Sequence, residues 1–402
     1  MQSSVWSRVA LISLGGFFEF YDIFFAGYIA PGLVRSGLLP PTGIAGFVAA
    51  MFSGLFVGTA LVSFVADRFG RRAIFTYSLL WYTVASVIMA FQHDAFGLNL
   101  WRFISGIGVG VELVTIDAYL SELVPANLRG RTFAINQAIQ FCAVPVVALL
   151  AWLLVPRAPF GLDGWRWVVL LGASGAIVVW WIRRRVPESP RWLASKQSAT
   201  GASFVEMWRP PYRRRSVMLI VFHLFQTVGY YGFSNWVPTL LIKRGIAITS
   251  SLRYTFIIAI AAPFGPLLAA VIADQLERKW QIVLSAFAIA VSGLLFGQMN
   301  GAAWLIFFGV LLTLANNILS VSCHAYQAEL YPTRIRALAV GFVYSWSRIS
   351  VVFSSFLIGF FLDRFGVPGV FTLIAGSMLI VMLAIGFLGP RTNNLALETI
   401  SN

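Results

Sequence analysis

Two acids, Glu19 and Asp22, stand three residues apart in the first long apolar run of the chain, within Gly15-Gly16-Phe17-Phe18-Glu19-Phe20-Tyr21-Asp22. An ionisable side chain at membrane depth costs about 2.5–3.5 kcal/mol on insertion scales, so it is placed there with a partner or a task. On a helix that spacing separates the two side chains by about 60° around the axis, and both can face one cavity instead of lipid. The chemistry open to such a pair is proton carriage or the reading of a charged solute.

The elements that must hold these acids follow from composition. Of 402 residues, 59% are hydrophobic and 11% charged, whereas soluble domains carry about 25% charged residues. A helix needs about 20 apolar residues to cross the bilayer. Windows of that length predict an all-α membrane protein with twelve spans, near 8–30, 43–65, 73–92, 98–120, 132–155, 167–182, 216–240, 252–272, 281–298, 302–325, 338–361 and 367–388, the sixth being short. The first run is too long for a secretory signal and carries two acids, so it reads as a retained span.

A net charge of +14 invites a nucleic-acid reading, but its distribution argues otherwise. With both termini cytoplasmic, most of the 29 Lys and Arg fall in inner loops, as the positive-inside rule requires. Cys142 and Cys323 lie inside spans without CxxC spacing, and neither suggests a disulfide or a metal site.

The loops repeat. Asp67-Arg68-Phe69-Gly70-Arg71-Arg72 follows span two, and Asp274-Gln275-Leu276-Glu277-Arg278-Lys279 follows span eight, 207 residues on. Glu122-Leu123-Val124-Pro125 through Arg129 follows span four, and Glu329-Leu330-Tyr331-Pro332 through Arg336 follows span ten, at the same offset. Two motifs at one offset mark an internal duplication, with six spans per copy and both copies oriented alike. The expected organisation is an N-terminal six-helix bundle, 1–182, a basic cytoplasmic linker, 183–215, and a C-terminal six-helix bundle, 216–402. Charges at inner helix ends can join two halves in one state and part in the other; Glu122 with Arg129, Glu329 with Arg336, and Asp67 with Arg68, Arg71 and Arg72 suit a cytoplasmic gate, although topology signals are the plainer reading of such charges.

Asp22 lies eight residues before the expected end of span one at Ala30, about 12 Å below that surface at 1.5 Å per residue. Arg102, near the start of span four at Leu98, lies about 6 Å below the same surface, within reach of a long side chain. Glu112 and Asp117 follow on span four, and Arg348 stands in span eleven. Gly106, Gly108 and Gly110 follow no strand, which excludes a dinucleotide loop, and suit close helix approach.

Twelve spans in two halves, Asp67 to Arg72, the twin Glu-Leu-x-Pro-x-x-x-Arg turns, and Pro187-Glu188-Ser189-Pro190-Arg191-Trp192-Leu193 after span six resemble the major facilitator superfamily. The nearer resemblance is to the branch of sugar porters, organic-ion transporters and bacterial nicotinate- or aromatic-acid-type proton symporters. Ser63 departs from it where a glycine four residues before Asp67 is usual. The resemblance implies a 6+6 major facilitator fold, no cofactor beyond the proton gradient, an inner gate that Glu188 joins, and a proton-coupling pair of Asp22 with Arg102, at the head of Arg102-Phe103-Ile104-Ser105-Gly106-Ile107-Gly108-Val109-Gly110. Glu19, apolar in sugar porters, is expected to share the proton or bind substrate.

Sugar-porter contacts are only partly kept. Asn136-Gln137 matches the start of that pattern in span five, but a glutamine expected later is Val144; Gln226 matches in span seven, beside Phe225 and Tyr231; and a tryptophan expected in span ten is His324. These exchanges disfavour a hexose. An aromatic or carboxylate-bearing metabolite suits Gln137, Gln226, Tyr230, Tyr231, Trp236, His324, Arg348 and Glu112 better.

The function expected is therefore proton-coupled symport of a small organic metabolite by alternating access, with proton-antiport efflux as the alternative. An intramembrane enzyme would need a nucleophile–base set, which the scattered His93, His223 and His324 do not suggest, or an HExxH or GxSxG motif, which the sequence does not contain; a sensor would be expected to carry an added soluble domain, for which the short termini are expected to leave no room. The expected setting is the plasma membrane, the inner membrane of a bacterium, with both termini cytoplasmic. The expected partners are a small-molecule substrate, protons and the lipid bilayer, with no nucleic acid, and the chain is expected to be a monomer.

Overall fold

A computed structural model describes residues 2–69, 71–123, 129–183, 204–272 and 275–392. Among them the regular elements are all helical. Spans one to four are the helices Gln2–Arg35, Ile44–Phe69, Arg71–Ala90 and Ala95–Leu123. Span one, 34 residues long, reaches about 50 Å at 1.5 Å per residue and overruns the roughly 30 Å hydrocarbon layer.

Span five is broken at Cys142 into Arg129–Phe141 and Ala143–Leu154. Pro145 explains the break, because it has no N–H for the Phe141 carbonyl and its ring crowds that turn. Span six, Gly164–Arg183, is longer than its apolar core suggests. Arg166 ties its first turn to the end of span three by donating to the carbonyls of Ala90 and Gln92.

Span seven divides after Ser234 into Tyr212–Ser234 and Val237–Lys243, with Pro238 in the first turn of the second piece. Span eight divides into Ile248–Ala259 and Phe264–Ile272; Pro263 disfavours helical backbone at the residue before it. Spans nine and ten are Arg278–Gln298 and Ala302–Glu329. Spans eleven and twelve form one helical run, Thr333–Leu388, interrupted at Gly366. Gly366 adopts φ 65°, ψ −165°, a conformation open to glycine and strained for other residues. These segments make up the twelve-span, 6+6 architecture.

The chain forms two compact units, Met1–Ala199 with Asn235–Pro263, and Thr200–Ser234 with Phe264–Asn402. The second piece of span seven and the first piece of span eight thus belong to unit 1. There the Asn235 carbonyl packs where a Cβ on Gly27 would sit, and Trp152 stacks on Phe256 with ring centroids 5.8 Å apart.

Within unit 1, spans two and four approach at backbone distance. A Cβ on Gly106 or Gly110 would strike the carbonyls of Met51 and Leu55, and one on Gly54 or Gly58 would strike those of Phe103 and Ile107. Two small-xxx-small faces therefore meet reciprocally, and Gly108 turns to Trp81 and Tyr82 of span three instead. This packing fixes the height at which Arg102 leaves span four.

Candidate functional site

In unit 1 the sequence brings Asp22 and Arg102 together. Arg102 is 0% and Asp22 4% exposed. One Arg102 Nη donates to Asp22 Oδ2 at 2.9 Å and the other to the Asp22 backbone carbonyl at 2.6 Å. Ser105 Oγ donates to the same Oδ2 at 3.0 Å, and Ser86 Oγ donates to Oδ1 at 2.7 Å. Both carboxylate oxygens are thus satisfied, as a buried charge requires. The guanidinium also lies over the ring of Phe25, 4.2 Å from its centroid, and 5.6 Å from that of Phe47.

Ser86 and Ser105 are functional candidates that sequence reasoning missed. Ser105 carried a signal, since it follows Arg102 by three residues and shares its helix face. Ser86, one of several hydroxyl residues on span three, carried none.

Asp22 borders a small cavity of about 10 Å³, room for about one water, whose lining includes Phe18, Tyr21, Tyr82, Thr83, Ser86 and Gly172. Tyr21 is fixed by donating to the Val168 carbonyl at 2.6 Å. Glu19, 1% exposed, is not among the lining residues. Glu112 is also buried in unit 1, at 0% exposure. Gln137 is half-buried, and Trp236 is buried directly after the break in span seven.

Unit 2 gathers a second polar cluster. Arg348, 1% exposed, donates to the hydroxyls of Tyr231 at 3.1 Å and Tyr344 at 2.9 Å. His223 Nε2 pairs with Gln327 Oε1 at 3.0 Å. The rings of His223 and His324 meet that of Tyr344 edge-on, with centroids 5.3 and 5.2 Å away. Tyr230 packs edge-on against Tyr231, 4.9 Å between centroids, while Gln226 is buried on span seven. Tyr344, four residues before Arg348 and hence on its face, and Gln327 were not foreseen as site residues.

Where spans nine and ten adjoin in unit 2, Glu329 Oε1 pairs with Arg278 Nε at 2.7 Å, and Arg336 Nε donates to the Tyr331 carbonyl at 3.1 Å. Glu329 is thus engaged by the second-half counterpart of Arg71, while Arg336 engages backbone. The side chains of Asp67, Arg68, Arg71, Arg72, Asp117, Glu122 and Arg129, and the whole of Glu188, lie outside the described residues.

Comparison with known proteins agrees with this architecture. The family model described as Major Facilitator Superfamily matches residues 12–296 and 255–399. The chain is 30% identical to YyaJ of Bacillus subtilis (strain 168), over 94% of this chain and 90% of that protein. It is 28% identical to the niacin transporter NiaP of Acinetobacter baylyi, over 97% and 95%, and 27% identical to the inner membrane metabolite transport protein YdjE of Escherichia coli K12, over 89% and 86%. The fold matches the inward-open xylose transporter XylE from E. coli with a TM-score of 0.81 at 20% identity, covering 98% of this chain and 99% of XylE.

Proposed function

The chain belongs to the Major Facilitator Superfamily, and from that premise we propose that it carries a small aromatic or carboxylate-bearing metabolite together with a proton, by alternating access between two bundles, 1–182 and 216–402, joined by a cytoplasmic linker. It is a transporter, not an enzyme, and spans the membrane; the setting proposed is a bacterial inner membrane with both termini in the cytoplasm.

The observation that carries proton coupling is the Asp22–Arg102 pair with its two serine donors. An ionised Asp22 completes this buried set. Protonation removes the charge that Arg102 balances, and a buried guanidinium deprived of its counter-charge costs about 3–5 kcal/mol. Loading the proton therefore favours a rearrangement of spans one and four, and the cavity beside Asp22 has room for about one water next to the carboxylate. The energy source is the proton gradient, with Glu19 as a further buried acid on span one.

Arg348 supports the substrate class. A guanidinium held by two tyrosine hydroxyls supplies positive charge for a carboxylate, beside aromatic faces suited to a flat ring. The niacin transporter among the relatives takes a solute whose name fits that description. Glu112, Gln137, Gln226, Tyr230, Trp236 and His324 are proposed as further contacts, and Asp67, Arg68, Arg71, Arg72, Glu122, Arg129, Glu188, Glu329 and Arg336 as the cytoplasmic gate. Proton-antiport efflux remains the second reading, because the same pair serves either direction.

The test is uptake of nicotinate, benzoate, xylose and a quaternary ammonium into proteoliposomes, with and without an inward proton gradient. Accumulation of the carboxylates driven by the gradient is expected; accumulation indifferent to the gradient contradicts symport.

A further inference from the structure

Within unit 2, His223 stands apart from the groups used above. It is 2% exposed, and its Nδ1 has no hydrogen-bond partner among the described residues while Nε2 is held by Gln327. A neutral imidazole has one donor and one acceptor nitrogen. The Gln327 carbonyl oxygen requires Nε2 to be the donor, which leaves Nδ1 with a bare lone pair. Leaving a buried polar atom unpaired is costly, so this atom calls for an explanation.

The groups that face it supply one. Span ten presents Gln327 and His324, and span eleven presents Tyr344 and Arg348. Span seven itself is tied to span eleven here, since Thr227 Oγ1 donates to Ser350 Oγ at 2.7 Å. The Tyr344 ring lies between, with His223 edge-on at 5.3 Å and the Arg348 guanidinium over it at 4.8 Å. Arg348 is the one described cation among these groups that is charged at every working pH. His223 and Arg348 are both buried against the one Tyr344 ring, so a second positive charge on His223 is opposed by that of Arg348 with little water to screen it.

We propose that His223 is a second proton acceptor, linked to substrate: an anionic substrate that neutralises Arg348 lets the Nδ1 lone pair take up a proton, so anion and proton load unit 2 together. This rests on the reading that Arg348 receives a carboxylate. The step is a proton addition alone. The Nδ1–H bond forms as an O–H bond of a hydronium ion breaks and leaves a neutral water, and the charges of carboxylate and imidazolium cancel. The two sites then divide the work, with Asp22 answering to the gradient and His223 to the occupancy of the substrate site.

The experiment is nitrogen-15 NMR of histidine-labelled, full-length protein in nanodiscs at pH 6, with the His223 signal assigned from His223→Gln. The protonated share of His223 is expected to rise several-fold, on the scale of a neighbouring-charge effect, in Arg348→Gln without ligand and in the wild-type protein on saturation with nicotinate. Arg348→Lys, which keeps the charge, is expected to match the wild type. No rise in Arg348→Gln overturns the coupling between the two residues. Nicotinate that binds without changing His223 overturns the link to substrate. Nicotinate that does not bind overturns the carboxylate reading of Arg348 and with it the substrate half of this proposal, while the Arg348→Gln comparison still decides the coupling.

Discussion

Glu329 and Arg278, whose side chains lie 2.7 Å apart, belong to different repeated motifs, one at the end of span ten and the other at the start of span nine. The contact ties the two repeated turns of unit 2 together. Both side chains are about one-fifth exposed, so water screens the pair less than it does a surface bridge.

Reversal of the pair tests its part in the gate. Arg278→Glu and Glu329→Arg are each expected to cut uptake about tenfold, and the double reversal to recover most of it. Rates from radiolabelled uptake decide this; a double variant no better than the singles removes the contact from the transport cycle.

The packing of spans two and four predicts a sharp contrast between glycines. Gly106→Ala drives a Cβ into the Met51 carbonyl, whereas Gly46→Ala meets nothing within 4 Å. Overpacking costs about 1–3 kcal/mol. A thermal unfolding scan in detergent is expected to show a lowered midpoint for Gly106→Ala and an unchanged one for Gly46→Ala.

The serine donors to Asp22 are expected to act together. Ser86→Ala and Ser105→Ala each remove a hydrogen bond to a buried carboxylate, worth about 1.5–3 kcal/mol. The two hydroxyls also lie within 3.2 Å of one another, so the double variant should lose less than the sum of the singles. Additive losses, measured as shifts in unfolding midpoint, would show that the hydroxyls act independently.

Substrate class turns on Arg348. Arg348→Gln is expected to abolish nicotinate uptake, and Arg348→Lys to retain a small part of it, because an ammonium keeps the charge but not the planar fork. Equal transport by wild type and Arg348→Gln removes the residue from substrate recognition.

How much of the site is legible in the sequence follows from the physics of each residue. Charges in apolar runs are conspicuous, and helix rise converts their positions to depths, so Asp22 and Arg102 can be matched from the sequence alone. Gly106 and Gly110 are legible as close-packing positions for a similar reason, though the reciprocal role of Gly54 and Gly58 is not. Ser86 is invisible because a hydroxyl can satisfy itself on its own helix, as Ser53 does on the Ala49 carbonyl. The placement of residues 235–263 with unit 1 depends on breaks at Pro238 and Pro263, and a repeat offset carries no information about where an interrupted helix docks. The duplication suggests Glu329 with Arg336, but the turn brings Arg278 to the acid and Arg336 to a backbone carbonyl.

The most direct measurement concerns Asp22. Asp22→Asn keeps the shape of the side chain and removes its charge, so the variant is expected still to exchange substrate across proteoliposomes at equal concentrations but not to accumulate it when an inward proton gradient is imposed. Full gradient-driven accumulation by Asp22→Asn would contradict the account and take the Asp22–Arg102 pair out of the proton path.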